Sequence, residues 1–153
     1  MIHWTCTPFN ALSVTELYEI MHLRCEVFVV EQNCPYQDAD YKDLKCDHLC
    51  GWVDGNLAAY VRLVPPGVSY TEMSIGRVVT SPKYRKNGLG RQLMTKAIEL
   101  CILNYGEKSI RIGAQQYLTQ FYDSLGFRQC SDMYLEDNIP HIEMLYHARE
   151  QNI

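Results

Sequence analysis

A short run of basic residues and glycines has the composition of an anion-binding loop. Residues 85–90 read Arg-Lys-Asn-Gly-Leu-Gly, and residues without a side chain let several backbone N–H groups approach one ligand. A helix N-terminus adds about half a positive charge, which favours phosphate oxygens. This segment therefore predicts a phosphate-binding loop. The residues expected to contact the phosphates are Arg85, Lys86, Asn87, Gly88, Leu89, Gly90 and Arg91.

Two well-known phosphate loops do not fit this segment. A Walker loop needs Gly-Lys followed by Ser or Thr, whereas Gly90 is followed by Arg91 and Gln92. The dinucleotide fingerprint needs a third glycine where this chain has Leu93. Neither pattern identifies the ligand.

The charge distribution also indicates a compact anion. The formal net charge is −4, yet residues 73–98 contain six of the 14 Lys and Arg residues and none of the 18 Asp and Glu residues. The remainder, with eight basic and 18 acidic residues, carries −10. Such a segment is equally typical of a solvated helix face, but inside an acidic protein it would attract a phosphate group and not a long nucleic acid. We therefore expect no nucleic-acid partner.

The predicted elements place this loop between a strand and a helix of a single domain, residues 1–153. A four-residue spacing of apolar side chains from Leu89 to Cys101 predicts a helix, with Asn87 as its N-cap. Ser13 and Glu16 form a capping box for an earlier helix that continues to about residue 30. Strands are predicted at residues 2–6, 49–53, 57–64, 74–80, 110–114, 127–134 and 141–147, and a short helix at 118–125. This order indicates an α+β (mixed α/β) fold.

The loop and a second motif resemble the GNAT superfamily of N-acetyltransferases. The loop has that family's RxxGxG pattern. Residues 114–127, which include Phe-Tyr-Asp-Ser-Leu-Gly-Phe at 121–127, are similar to its second motif. Three further segments, residues 27–36, 75–78 and 139–142, look like the ElaA branch of the superfamily. The stretch at 27–32 is also similar to acyl-homoserine-lactone synthases.

The resemblance implies both a fold and a cosubstrate. The expected fold is a central, mostly antiparallel twisted sheet of about six to seven strands, splayed between strands 4 and 5, with helices on both faces. The loop would bind the diphosphate of acetyl-CoA, and backbone groups of Val78, Val79 and Thr80 would bind the pantetheine arm and polarise the thioester carbonyl. Gln115 would supply an amide to the cosubstrate, and Tyr122 would contact it and act as the general acid.

Four residues are candidates for the chemistry of transfer to an amine. Tyr122 could protonate the leaving thiolate because a phenol with a pKa near 10 stays protonated at pH 7. Glu31, Glu72 and His141 are the candidate bases or amine-binding groups. His141 is also typical of a packed strand histidine, and Tyr122 of a core aromatic residue. The sequence alone leaves the base unassigned.

Two clusters of potential metal ligands have simpler interpretations. Cys46, His48 and Cys50 share a strand face but lack a fourth ligand at zinc-like spacing. Acidic residues at 38, 40, 43 and 47 lack the glycine of a calcium loop. They indicate a solvated acidic loop or a surface that draws a cationic acceptor to the site. We therefore expect no metal.

These observations predict an acetyl-CoA-dependent N-acetyltransferase that acts by direct transfer to a primary amine. Alternatives are an enzyme like the acyl-homoserine-lactone synthases, a non-catalytic acyl-CoA sensor and, least favoured, a nucleic-acid-binding module. No signal, transit or membrane segment is evident, and seven cysteines without CxxC pairs are typical of reduced thiols, so we expect a cytoplasmic protein without a membrane partner. The exposed edge strand leaves monomer and homodimer open.

Overall fold

The computed structural model describes residues 1–148 of the 153. Its strands are β1 (His3–Pro8), β2 (Asp47–Val53), β3 (Asn56–Val64), β4 (Ser74–Thr80), β5 (Ser109–Gln115), β6 (Arg128–Gln129), β7 (Tyr134–Glu136) and β8 (Ile139–His147). Its helices are α1 (Val14–Arg24), a π-helix (Cys25–Glu31), α2 (Leu89–Tyr105) and α3 (Thr119–Ser124), with 3-10 turns at Phe9–Ala11, Lys42–Lys45, Pro82–Tyr84 and Gln116–Leu118. None of the described helices is long and apolar enough to cross a bilayer.

The strands form two antiparallel sheets that meet at β4 and β5. The first has the order β1-β2-β3-β4, and the second has the order β5-β8-β6, with β7 also paired to β8. Within residues 1–148, β4 and β5 are joined by a single parallel bridge between Met73 and Ile110, where the Arg111 N–H donates to the Met73 carbonyl at 3.0 Å. Beyond this bridge the two strands separate. This confirms the predicted mixed fold and the splay between strands 4 and 5.

Helices cover both faces of the first sheet because side chains of a strand alternate between its faces. On β3, Ala59, Val61 and Leu63 belong to the larger core, which also contains the buried face of α2. Tyr60 points the other way and packs with Ile20 and other side chains of α1 and the π-helix. The splayed edges therefore lie between two well-packed layers.

The first helix differs from its prediction in its second half. The Ser13–Glu16 capping box is present, which confirms where the helix begins. After Arg24, however, the chain widens into a seven-residue π-helix instead of continuing as an α-helix. π-Helical turns are rare in proteins, and those that occur are often found at functional sites. The spacing of apolar residues does not distinguish a π-helix from an α-helix, so the π-helix was not predicted from the sequence.

The last strands also differ from their prediction. Residues 127–134, predicted as one strand, form β6 and the start of β7, and residues 130–133 between them are outside both strands. The chain then turns at Asp137 and Asn138, both with positive φ, before β8. This brings β7 alongside the start of β8, at the edge of the splay.

Candidate active site

A cavity of about 720 Å³ opens where β4 and β5 separate. One wall is β4 from Ile75 to Thr80, the opposite wall is β5 from Ile112 to Gln115, and the π-helix and the turn after β7 complete it. The predicted residues that line the cavity are Glu31, Val78, Val79, Thr80, Arg85, Gln115, Tyr122 and His141. Residues predicted from five separate segments therefore come together.

The β4 wall contains a bulge. Arg77 has φ of 54° in the middle of the strand, and the register between β3 and β4 shifts between Tyr60 and Arg62. A bulge turns the strand locally and leaves backbone groups outside the regular ladder. Val78 and Val79 follow it directly and line the cavity. The unpaired edge of β4 can therefore offer main-chain groups to a ligand.

The predicted phosphate loop contributes Arg85 to the lining of this cavity. Asn87 and Gly88 both have left-handed backbone, with φ of 66° and 73°. The N-cap of α2 is Gly88 and not Asn87 as predicted, and no side chain of residues 1–148 caps this helix end by a hydrogen bond. The left-handed turn at Asn87 places its side chain outside the cap position. The first N–H groups of α2 are thus available to an anion.

The loop residues differ in how they are placed. Leu89 is buried, whereas Lys86, Asn87, Gly88 and Arg91 are exposed outside the cavity lining. A Cβ atom on Gly90 would lie 3.9 Å from Phe121, which is ordinary contact, so packing does not require a glycine there. The Arg91 guanidinium donates to Ser124 Oγ at 2.8 Å. The loop is therefore joined to α3, which carries Tyr122.

Tyr122 lines the cavity and is itself almost completely buried. It is only 6% exposed, and its ring makes edge contacts with Phe121 and Phe127 at 5.2 and 5.9 Å between centroids. Within residues 1–148 no hydrogen bond to its hydroxyl is formed. Burial, with a smaller contribution from Tyr117, raises the pKa of Tyr122 to about 12. The phenol therefore stays protonated over the physiological pH range.

His141 and Glu136 form a pair on the opposite side of the cavity. His141 is 9% exposed, and its Nδ1 lies 2.7 Å from the Ile139 carbonyl oxygen. Because a carbonyl can only accept, Nδ1 donates its N–H to it, which leaves Nε2 as the ring nitrogen that can take up or release a proton. That Nε2 atom lies 3.4 Å from Glu136 Oε2. Sequence reasoning missed Glu136, since only the β7–β8 pairing brings residues 136 and 141 together.

Gln115 and Glu31, two further predicted site residues, also line the cavity. Gln115 is paired in register with His141, and its Nε2 donates to Gln32 Oε1 at 3.4 Å. The Glu31 carboxylate lies 2.7 Å from the Arg85 guanidinium, and Arg85 Nε also donates to the Thr80 carbonyl at 3.2 Å. The end of the π-helix is therefore tied to the start of the phosphate loop.

Glu72 is not part of this cavity. Both of its carboxylate oxygens accept hydrogen bonds from Arg111, at 3.1 and 2.9 Å, and the pair lines a second, shallow cavity. The Arg111 hydrogen bonds lower the pKa of Glu72. Glu72 precedes the bridge at Met73, where the two sheets still touch. The structure therefore places Glu72, unlike Glu31 and His141, outside the lining of the cavity at the splay.

Two carboxylates of the acidic loop are buried, which corrects the expectation that this cluster is solvated. Asp38 and Asp43 are 4% and 6% exposed, and both accept hydrogen bonds from Arg24 at 2.8 Å. Asp40 and Asp43 also accept from Arg62. Buried carboxylates are retained where cations pair with them. These ion pairs were not predicted from the sequence because Arg24 lies on α1 and Arg62 on β3, both distant in sequence from the aspartates.

Comparison with known proteins agrees with this geometry. The sequence model of the acetyltransferase (GNAT) domain matches residues 26–148. The chain belongs to the GNAT acetyltransferase family. It is 45% identical to protein ElaA of Escherichia coli (strain K12) over 152 residues, covering 98% of this chain and 97% of that protein. This relationship confirms the predicted resemblance to the ElaA branch.

Solved GNAT structures have the same fold. The crystal structure of Escherichia coli ElaA superposes with a TM-score of 0.90 at 42% identity, covering 96% of this chain and all of that one. An acyl-CoA N-acyltransferase from Pseudomonas aeruginosa superposes with a TM-score of 0.91 at 42% identity, covering 95% and 99%. As a GNAT protein the chain is a member of the acyl-CoA N-acyltransferases.

Proposed function

We propose that this protein transfers an acetyl group from acetyl-CoA directly to a primary amine. One observation supports this most strongly. Tyr122 is a buried residue whose hydroxyl has no hydrogen-bond partner among residues 1–148, and it lines a cavity whose lining also includes Arg85 of the basic loop and the His141–Glu136 pair. A proton donor and a proton acceptor thus lie on the same cavity, as acyl transfer to an amine requires.

The residues around the cavity fit the chemistry of coenzyme A. Its diphosphate would bind the N–H groups at the start of α2 and the side chains of Arg85, Lys86 and Arg91. The pantetheine arm would extend along the free edge of β4, beside Val78 and Val79, where backbone groups can pair with its amides. The other loop contacts are proposed at Thr80, Asn87, Gly88, Leu89, Gly90 and Gln115.

Tyr122 is the proposed general acid, and its raised pKa makes proton transfer to the leaving thiolate unfavourable unless the site compensates. A free thiol has a pKa near 8.5, so protonation of the thiolate by a phenol with a pKa of about 12 is uphill by about 5 kcal/mol. The same burial that raises the pKa of Tyr122 would also raise the pKa of a thiol leaving in this cavity. Desolvation of the bound cosubstrate therefore reduces the mismatch.

His141 is the proposed base, and Glu136 binds the incoming ammonium. A lysine-like amine with a pKa near 10.4 is neutral in only about 1 of 2,500 molecules at pH 7, a handicap of about 4.6 kcal/mol. The Nε2 lone pair of His141 can take the proton while the Glu136 carboxylate holds the cation at its entry. Glu31, which is paired with Arg85, is proposed as a second amine-binding group.

The proposed step balances without another reactant. The amine nitrogen attacks the thioester carbon, and main-chain N–H groups near Val78 and Val79 stabilise the oxyanion. The C–N bond forms and the C–S bond breaks. His141 first passes the ammonium proton to solvent. It then receives a second proton from the attacking nitrogen while Tyr122 gives its proton to sulfur, and solvent returns both residues to their starting state. A thioester is already activated, so the step needs neither a metal nor a covalent enzyme intermediate.

A ligand titration followed by an amine panel tests this function. Acetyl-CoA at 100 times its dissociation constant should stabilise the protein by about 2.7 kcal/mol, whereas ATP, NAD and free phosphate should have little effect. Thiol release with small amines, peptides and acyl-CoAs of different length should then yield an N-acyl product identified by mass. Binding without thiol release would favour the sensor, and a lactone product would favour the synthase alternative.

The proposed location is the cytoplasm. All seven cysteines are free thiols in this structure, and four of them are buried. Free thiols are typical of proteins from a reducing compartment. A homodimer through β1, an edge strand in this structure, is a further proposal that sedimentation of the purified protein would test.

A further inference from the structure

The bulge in β4 contains a residue with an unfavourable backbone conformation. Arg77 has φ of 54°, a left-handed value that crowds the Cβ atom of every residue except glycine. Outliers of this kind persist only where the surroundings hold them, and they cluster at functional sites. Val78 and Val79, the next two residues, line the acyl-CoA cavity. The contacts that hold Arg77 in this conformation therefore also determine the positions of Val78 and Val79.

The Arg77 side chain is held by the acidic loop. Its Nε atom lies 2.8 Å from Asp38 Oδ1, and one of its terminal nitrogens donates to the Asp38 carbonyl oxygen at 3.0 Å. The guanidinium also stacks over the ring of Tyr36, 5.7 Å from its centroid, and the Tyr36 hydroxyl donates to Asp38 Oδ1 at 2.8 Å. Three kinds of contact thus fix one arginine.

Asp38 is in turn anchored to the helix layer. Its Oδ2 atom accepts from Arg24 Nε at 2.8 Å, and Arg24 is completely buried on α1. Arg24 also reaches Asp43, which accepts from Arg62 on β3 at 3.0 Å. A clamp that ends in α1 and β3 resists movement better than an ion pair between two loops. The bulge is therefore fixed relative to the rest of the sheet.

We propose that Arg77 and Asp38 are positioning residues, whose ion pair holds the bulge so that Val78 and Val79 meet the thioester half of acyl-CoA. The identity of the ligand rests on the proposed function, whereas the conformational effect does not. Arg77 and Tyr36 line the same cavity as Val78 and Val79, whereas Lys86, Asn87, Gly88 and Arg91 of the phosphate loop lie outside its lining. The clamp should therefore affect the acylated arm of the cosubstrate and leave its nucleotide end unaffected.

The test compares two ligands by calorimetry. Arg77→Ala, which keeps a Cβ atom but loses the clamp, should bind acetyl-CoA at least 10-fold more weakly and 3′-phospho-ADP, the CoA fragment without pantetheine, within twofold of wild type. Arg77→Gly, which tolerates a positive φ, should lose only about threefold for acetyl-CoA. Arg111→Ala is the matched control, because Arg111 is a strand arginine with 25% side-chain exposure against 24% for Arg77 and a carboxylate partner in the second cavity. It should change neither affinity.

Three results would overturn the clamp. Acetyl-CoA affinity within twofold of wild type in Arg77→Ala overturns it, and so does an equal loss for both ligands or an Arg77→Gly variant no better than Arg77→Ala. If Arg77→Ala does not fold, Arg77→Gly decides, and unchanged acetyl-CoA affinity then overturns the proposal. If the wild-type protein binds neither ligand, the proposed function fails. Hydrogen exchange at the Val78 and Val79 amides, faster in Arg77→Gly and unchanged in Arg111→Ala, still tests the clamp.

Discussion

Glu31 Oε1 lies 2.7 Å from a terminal nitrogen of Arg85, so a carboxylate already pairs with the first cation of the proposed diphosphate-binding loop. Both side chains are substantially exposed, at 41% and 38%, and such a pair contributes at most about 1 kcal/mol. A diphosphate would compete with Glu31 for the same guanidinium. If CoA binds as proposed, this ion pair would oppose its binding slightly.

We expect Glu31→Gln to tighten CoA binding by about two- to fivefold, because it frees Arg85 and removes a negative charge near the phosphates. Calorimetry at low and high salt measures this, and the gain should shrink at high salt. The control is Glu99→Gln, an exposed carboxylate farther along α2. Weaker CoA binding in Glu31→Gln would show instead that Glu31 holds Arg85 in place for the ligand.

Removal of one oxygen tests the proposed acid. Tyr122→Phe should lower kcat by about 100-fold and leave the CoA dissociation constant within twofold of wild type. The ring contacts with Phe121 and Phe127 survive this change, and no hydrogen bond within residues 1–148 is lost. Since the pKa of Tyr122 is about 12, its ionisation should cause no loss of wild-type activity below pH 10.

The matched control is Tyr146→Phe, which removes a hydroxyl from another aromatic residue packed against Phe127. It should retain wild-type kcat. An unchanged kcat in Tyr122→Phe would remove Tyr122 from the chemistry and leave it a core residue.

Local patterns predicted the loop and α2, because each depends on residues close together in sequence. The splay between strands 4 and 5 was predicted from the family resemblance and not from a local pattern. The glycines at 88 and 90 and the apolar spacing of α2 are visible without a structure. Glu136 next to His141, Arg77 next to Asp38, and Glu72 next to Arg111 were not predicted. Each pair depends on strand register, a bulge or a loop path, which no local pattern encodes. The acidic loop was misread for the same reason, since its arginine partners are on other elements.

The proposed base predicts how the effect of a mutation changes with pH. His141→Gln should lower kcat/KM for a lysine-like amine by about 100-fold at pH 7. The loss should shrink as the pH is raised to about 10, because the neutral fraction of the amine rises tenfold per pH unit and less help from a base is needed. Rates measured from pH 7 to 10 against His22→Gln, an exposed histidine on α1, test this. A loss that is constant with pH would contradict a role in proton removal.

Glu136 should affect the amine and not the cosubstrate. Glu136→Gln keeps the side-chain shape but loses the charge that faces His141 Nε2 at 3.4 Å. We expect KM for a cationic amine to rise about fivefold while KM for acetyl-CoA is unchanged. A panel that pairs each cationic amine with a neutral or anionic one measures the preference. If wild type prefers neutral or anionic acceptors, Glu136 does not bind the amine as proposed.

The buried ion pairs around Asp43 should make the free energy of unfolding depend on pH in the acidic range. Burial alone would raise the pKa of Asp43, but hydrogen bonds and charges from Arg24 and Arg62 outweigh it, and its pKa lies below the usual range. A carboxylate with a depressed folded-state pKa contributes stability that is complete above its unfolded pKa of about 3.9 and is lost as the pH falls toward the folded value. The free energy of unfolding should therefore fall steeply below about pH 4.

Asp43→Asn tests which group is responsible. At pH 7 it should cost about 3–5 kcal/mol, because Arg24 and Arg62 lose a shared buried partner. Its stability should also fall less steeply below pH 4 than that of wild type, by up to about 1.4 kcal/mol per pH unit, since one proton fewer is taken up on unfolding. Urea unfolding from pH 7 to 2.5 measures both effects, with Asp132→Asn, an exposed aspartate, as control. An acid slope equal to wild type in Asp43→Asn would mean that Asp43 takes up no extra proton on unfolding, and the network would then not be the source of the acid sensitivity.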